Sequence, residues 1–171
     1  MSVDRLLDII GWTFLIAAIT ILKFFERSFE NTVNGKSFVI TYIIYGVLCS
    51  IGFMVLLYKT NRKYFDGGKE RASAVLSYFF GIVVVVLLLA ASYNKDTARK
   101  NIRLVQAIVT GKSKNVTYST TYLTLQIKDG KERFNPTNDE WNQISESDTL
   151  SLEVGKGNLG YDYIFNFLAG D

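Results

Sequence analysis

The sequence contains no histidine, only one cysteine and little net charge, and each shortage excludes a class of function. Without His, the chain lacks the commonest general base and metal ligand of proteins. A single cysteine, Cys49, cannot form a disulfide within the chain and lies in an apolar run. A net charge of +3 does not indicate a protein that binds long nucleic acids. We therefore expect no catalytic residue, no metal and no cofactor.

Long uncharged runs occupy the first half of the chain and predict three transmembrane helices. Residues 72–93 are 22 residues without a charge, and they would form about 33 Å of helix, enough to cross a hydrocarbon core of about 30 Å. Residues 37–58 form an equally uncharged run, and residues 6–25 form a run with Asp8 and Lys23 near its ends. We predict a transmembrane domain at 1–93 whose helices approach closely at small residues: Gly46, Ser50, Gly52 and Gly81.

The basic residues that flank these runs bear on the orientation in the membrane. With three spans, the loop 59–71 lies on one side, and the loop 26–36 lies on the other side with the C-terminal half. Counting neighbouring positions, the first side has six Lys and Arg and the second has eight. Because cytoplasmic loops are enriched in Lys and Arg, we predict a multi-pass protein of the cell inner membrane with a cytoplasmic C-terminal half.

After a charged connector at 94–102, apolar residues alternate with polar ones, which is typical of strands. We predict a soluble β domain at 103–171, with strands at 103–110, 116–127, 131–135, 149–154 and 161–168. Turns are predicted at 111–115, at Asp129-Gly130 and at 155–160. Thr137 and Glu140 form a capping box that predicts a short helix through Ile144. The order β-β-β-α-β-β favours an OB-like barrel, while an SH3-like barrel or an open sandwich remains an alternative. In the last strand, alternation places these aromatic residues on one face: Tyr161, Tyr163, Phe165 and Phe167.

The charges of the soluble half are unevenly distributed. Residues 95–133 carry a net charge of +6 and residues 134–171 carry −6. One explanation is that the basic part lies near anionic lipid headgroups. A sharper hypothesis is a site for a small anionic ligand, because basic groups beside aromatic rings bind phosphates and stack on nucleobases. Its candidate residues are Lys112, Lys114, Tyr118, Tyr122, Lys128, Lys131 and Arg133.

Two resemblances add to this interpretation. The run SDTLSLEVGKGNLGYDYI at 147–164 resembles the tail of small bacterial membrane proteins that place a β module after a few spans, with Ser147 where glycine is usual. In layout, the chain resembles compact membrane effectors of bacterial antiviral defence, including the cyclic tetra-adenylate-gated effectors of type III CRISPR systems. That resemblance implies a cytoplasmic domain that binds a cyclic nucleotide, oligomerises and perturbs the membrane. It assigns no site residues.

The sequence thus supports two functional hypotheses. The first is a non-enzymatic membrane effector, a homo-oligomer in the lipid bilayer whose β domain binds a small anionic signal such as a cyclic oligoadenylate. The second is a membrane-anchored adaptor or immunity-type protein that binds another protein through the β domain, by strand addition or through a face. An intramembrane enzyme ranks last, because the second and third spans contain no ionisable group apart from tyrosines and Cys49.

Overall fold

The structure, a computed structural model, describes residues 3–62, 69–115, 120–127 and 130–169. Its helices are α1 Val3–Glu30, α2 Gly35–Thr60, α3 Lys69–Ala98 and α4 Asn138–Gln143. Its strands are β1 Ile102–Asn115, β2 Thr120–Ile127, β3 Gly130–Phe134, β4 Thr149–Lys156 and β5 Asp162–Ala169. Contacts divide the chain into a membrane unit, Met1–Glu26 with Val39–Ala90, and a β unit, Arg27–Phe38 with Ala91–Asp171. The predicted boundary at residue 93 instead assigned all of 27–38 to the membrane region.

The first three helices are long and apolar enough to cross a membrane, over Arg5–Lys23, Gly35–Thr60 and Ala72–Ala98. These ranges confirm the predicted apolar helices, each of which extends somewhat beyond its predicted run. Many of their large apolar side chains are exposed, among them Ile16 at 61% and Leu89 at 65%. Such exposure is costly in water but suits a helix surrounded by lipid.

Small residues bring the helices of the membrane unit together, as predicted. A Cβ at Gly46 of α2 would lie 2.8 Å from the Cα of Val83 on α3, and one at Gly81 would lie 2.5 Å from the ring of Phe14 on α1. Ser50 Oγ donates a hydrogen bond to the carbonyl oxygen of Phe79 at 2.9 Å. The prediction for the fourth residue, Gly52, is wrong, because a Cβ there would meet nothing within 4 Å.

The β unit is built on one antiparallel sheet of five strands in the order β3-β2-β1-β4-β5. The long strand β1 lies at its centre and pairs with both β2 and β4. One face carries the apolar core, which is made by alternate residues of the strands together with Ile144: Ala107, Val109, Leu123, Leu125, Phe134, Leu150, Leu152, Val154 and Ile164. We call this the inner face and the opposite one the outer face.

Two irregularities in the sheet overturn local predictions. The predicted turn at 111–115 is wrong, because β1 continues through it to Asn115. A bulge between Val109 and Gly111 inserts one residue and lets the strand continue in a shifted register. A second bulge at Glu153/Val154 shifts the pairing of β5. Phe167 therefore lies opposite Leu152 on the inner face while Tyr163 lies on the outer face, so the predicted single aromatic face is wrong.

The predicted capping box is confirmed. The backbone N–H of Glu140 donates to Thr137 Oγ1 at 3.4 Å, and that of Thr137 donates to Glu140 Oε2 at 2.6 Å. The helix that follows, α4, lies between β3 and β4 in the chain and ends one residue before the predicted Ile144. The predicted hairpin is confirmed by the antiparallel pairing of β2 with β3. Its turn residue Asp129 lies outside the described residues, and Gly130 begins β3.

The segment between α1 and α2 is built into the β unit along the edge of β5. The backbone N–H of Val33 donates to the carbonyl oxygen of Asp162 at 2.9 Å, and that of Ile164 donates to the carbonyl oxygen of Asn31 at 2.8 Å. These two bonds form an antiparallel bridge between Thr32 and Tyr163. No sequence pattern predicts this pairing, because Thr32 and Tyr163 are far apart along the chain.

The same segment also contacts the other edge of the sheet, at β3. The backbone N–H of Asn135 donates to Asn31 Oδ1 at 3.1 Å, and its side-chain amide donates to Glu30 Oε2 at 2.8 Å. The backbone N–H of Asn34 donates to Glu132 Oε2 at 3.0 Å. Residues 30–34, which we call the edge segment, therefore connect the two edge strands of the sheet.

The last turn of α3 is held by the glycine-rich turn of the tail pattern. Asn94 Nδ2 donates to the carbonyl oxygen of Tyr161 at 3.1 Å, and Thr97 Oγ1 accepts the backbone N–H of Asn158 at 3.0 Å. A Cβ at Gly155 would overlap the carbonyl oxygen of Ala98, and one at Gly157 would overlap the amide of Asn94. The glycines thus permit close contact between the end of α3 and the sheet, which explains the GKGNLG run physically. Gly160 adopts φ +87°, which favours glycine.

Replacing Gly155 by alanine should therefore weaken this contact. We expect Gly155→Ala to lower the free energy of unfolding by about 1–3 kcal/mol, the usual cost of overpacking a well-packed site. The matched control is Gly111→Ala, because a Cβ there would lie 3.8 Å from its nearest neighbour, Thr124. Thermal unfolding of the full chain in detergent measures both variants. Equal melting temperatures for the two would contradict the proposed close contact.

Candidate functional site on the β2–β3 face

Alternation along β2 and β3 places part of the predicted anion site on the outer face. Arg133 pairs with Thr124, and Lys131 pairs with Gln126. Tyr122 lies two residues before Thr124 in β2, so both side chains project to the same face. Paired residues of antiparallel strands project to the same side. Tyr122, Lys131 and Arg133 therefore share one surface, which we call the basic patch.

Arg133 and Tyr122 form the best-defined contact of the basic patch. The guanidinium carbon of Arg133 lies 3.5 Å from the ring centroid of Tyr122, within the range of a cation–π interaction. Tyr122 is only 5% exposed, while Arg133 is exposed. A planar guanidinium held against an aromatic ring can stack on a base or bind a phosphate with its free N–H groups. The ring of Tyr122 thus supports Arg133 and leaves little of its own surface for a ligand.

Lys112 lies on the inner face, away from the basic patch. Its Nζ donates to the carbonyl oxygens of Trp141, at 2.6 Å, and of Ile144. The same nitrogen lies 4.2 Å from the ring centroid of Trp141. These carbonyls belong to the end of α4, where a cation is favoured because the last carbonyls of a helix have no helical partner. Lys112 therefore caps α4, which is a structural role.

The remaining predicted residues do not join the patch within the described part of the chain. Lys114 is exposed and pairs with Thr121. It lies two residues after Lys112 in β1, so it projects from the inner face as Lys112 does. Tyr118 and Lys128 lie outside the described residues. The bulge explains the division, because without the extra residue near Thr110 the pairing would have placed Lys112 opposite Tyr122 on the outer face.

Sequence reasoning missed a cavity at one end of the inner face. A cavity of about 350 Å³ is lined by both apolar and charged side chains, including Val33, Val105, Val154, Arg103, Glu132 and Asp162. Arg103 Nη2 lies 2.6 Å from Asp162 Oδ2. A signal was available in the sequence, because Arg103 and Glu132 stand at positions where alternation requires apolar residues.

No family model, curated protein or solved structure matches the chain, so its function is argued from its own geometry. In the described ranges, no group of three or more His, Cys, Asp or Glu side chains could hold a metal ion.

The assignment of Lys112 to α4 can be tested by comparing it with Lys114. We expect Lys112→Met to lower the free energy of unfolding by about 1–2 kcal/mol, because two helix carbonyls lose their charged donor. Lys114→Met should change it by no more than about 0.5 kcal/mol, as is usual for an exposed side chain. Thermal unfolding of both variants, made in the full chain, measures the difference. If Lys114→Met were the more destabilising change, the capping role would be wrong.

Proposed function

We propose that the protein is a non-enzymatic membrane effector whose β unit binds a small anionic signal at the basic patch and thereby changes the membrane-spanning region. The β unit is, in this proposal, an OB-type barrel. Five antiparallel strands with α4 between β3 and β4 support this proposal. The OB fold is a five-stranded, partly open barrel that binds its ligands on the face of strands 2 and 3. The basic patch occupies that face.

The main support for the proposal is the set of chain segments that belong to the β unit. It contains Arg27–Phe38, which joins α1 to α2, as well as the last turns of α3. The β unit therefore contains the sheet and one end of each of the three described helices that are long enough to span a membrane. A ligand shifts an equilibrium only if it binds two arrangements with different affinity. A sheet connected to every span in this way is suited to convert such a difference into a change among the helices.

The charge of the patch favours a small ligand over a nucleic acid polymer. Polymer binding needs a long array of basic groups, while Lys131 and Arg133 supply two charges on this face. In OB folds the loops after strands 1 and 4 extend the ligand site. Here the loop after β4 holds the end of α3, which leaves a shorter surface. A cyclic oligoadenylate, the ligand implied by the resemblance to antiviral membrane effectors, is a compact ligand of suitable chemistry.

The proposed setting is the cell inner membrane, with the β unit in the cytoplasm and several copies assembled in the bilayer. The hydrogen bonds between the edge segment and the sheet require both to lie on one side. Three spans give this arrangement, and the basic residues on that side favour the cytoplasm.

The alternative function, an adaptor that binds another protein, is favoured by a different feature. Leu104, Ile108 and Leu168 are 63%, 49% and 48% exposed, and their register places them on the outer face. Strand addition at β5 is disfavoured, because the edge segment already pairs there. A protein partner would therefore bind the face of the sheet.

Ligand binding should be measured on the full chain in nanodiscs, because a fragment beginning at residue 94 would lack the edge segment. With cyclic tetra-adenylate as the probe, we expect a micromolar or lower Kd. Arg133→Gln should raise that Kd at least tenfold, since a charge-assisted hydrogen bond is worth about 1.5–3 kcal/mol. Lys156→Gln is the matched control, because it removes an exposed lysine of β4 and should leave the Kd unchanged.

A second measurement separates binding from effector action. Liposomes that contain the full chain and a trapped dye should release the dye when cyclic tetra-adenylate is added, and the Arg133→Gln chain should not. Binding weaker than millimolar for cyclic tetra-adenylate and for other cyclic nucleotides would remove the anionic-signal proposal. Recovery of one stoichiometric protein partner, lost in Leu104→Asp, would then support the adaptor.

A further inference from the structure

Three charged side chains surround the cavity at the end of the inner face: Arg103, Glu132 and Asp162. Arg103 pairs with Val154, and Glu132 pairs with Leu125, so both stand among core positions. Charges at inward positions are costly unless they are paired or solvated. Positions that break an otherwise consistent pattern are commonly functional. The side chains of Arg103 and Asp162 are 55% and 24% exposed, so these charges remain in contact with solvent beside the cavity.

Among the described residues, each of the three charged groups has one side-chain contact, and together they carry a net negative charge. Arg103 and Asp162 pair at 2.6 Å and cancel. Glu132 uses its Oε2 to accept the backbone N–H of Asn34, a neutral donor, so its charge is not cancelled by that bond. The net formal charge of the three groups is therefore −1. A negative cavity disfavours an anion and favours a ligand with one positive charge.

Apart from Asn34 and Gly130, the rest of the described lining is aliphatic, and the cavity is large enough for a small ligand. Val33, Val105, Ile127 and Val154 contribute aliphatic surface, and the volume of about 350 Å³ lies in the range of small-molecule sites, about 300–1,000 Å³. An aliphatic body of a few carbons against these side chains would be stabilised by about 0.8 kcal/mol per buried methylene. Size and charge together favour a small molecule with an ammonium group on a short aliphatic chain.

We infer that this cavity binds a small primary ammonium compound, with its ammonium on Glu132 and its aliphatic body against Val105, Ile127 and Val154. Two sources share this chemistry. A free amino acid such as leucine would also place its carboxylate against the N–H groups that Arg103 does not use for Asp162. A simple aliphatic amine would use Glu132 alone.

This site is separate from the basic patch and does not depend on the proposed function. Glu132 lies between Lys131 and Arg133 in β3, and alternation directs it to the opposite face. Val33 and Asn34, which line the cavity, belong to the edge segment between the first two spans. A ligand here therefore contacts the chain that joins those spans, whatever binds to the outer face.

Calorimetric titration of the full chain in detergent tests the inference with three probes of similar shape. We expect saturable binding of L-leucine, of 3-methylbutylamine or of both, and none of 3-methylbutanoate, which has the carboxylate without the ammonium. Where both bind, each should displace the other. Leucine binding at least tenfold tighter than the amine identifies an amino acid site that uses Arg103, and equal binding identifies an amine site.

Two variants assign the binding to the cavity. Glu132→Gln keeps an oxygen that can accept the N–H of Asn34 and removes the charge, and it should weaken ammonium binding at least tenfold. Glu153→Gln removes a carboxylate that pairs with Leu104 on the outer face, and it should alter the Kd less than twofold. If neither ammonium compound binds saturably, or if the butanoate binds as tightly, the inference is wrong. If Glu132→Gln does not fold, displacement of one ammonium compound by the other on the wild-type chain still tests the inference.

Discussion

The edge of β5 is the constraint on which the arrangement of the β unit depends. An edge strand presents backbone N–H and C=O groups without partners, which favours pairing with other chains. Here Val33 and Asn31 satisfy two of those groups, and they belong to the segment between the first two spans. The edge segment thus covers part of the edge of β5. It belongs to the β unit together with the sheet.

The charged residues of the sheet have different roles according to the face they occupy. Alternation in β3 directs Lys131 and Arg133 outward and Glu132 inward. The outward pair forms the basic patch over Tyr122, while Glu132 and Arg103 face the cavity. The ammonium group of Lys112 donates to the carbonyl oxygens at the end of α4. The net charges of +6 and −6 counted along the sequence therefore combine groups from three different environments: the basic patch, the cavity and the end of α4.

Features set by neighbouring residues were predictable, and features set by distant ones were not. The uncharged runs predicted the three apolar helices, and Thr137 with Glu140 predicted the start of α4, because each signal lies within a few turns of chain. The bulge beside Gly111 was missed because GKSKN has the composition of a turn, and pairing with β2 overrides that preference. This one residue decided which face Lys112 occupies, and so divided the predicted site. The pairing of Thr32 with Tyr163 depends on a contact across nearly the whole chain, which no local pattern encodes.

Each of the three long helices is divided between the two units, and α3 contributes eight residues to the β unit, from Ala91 to Ala98. α3 runs from Lys69 to Ala98 as a single element, and the division between the units falls within it, after Ala90. Neither glycine nor proline occurs between Ile82 and Ala98, so two common causes of a helix kink are absent from that stretch. The apolar residues before Ala90 and the side chains of Asn94 and Thr97, which contact the glycine-rich turn, therefore share one continuous series of backbone hydrogen bonds.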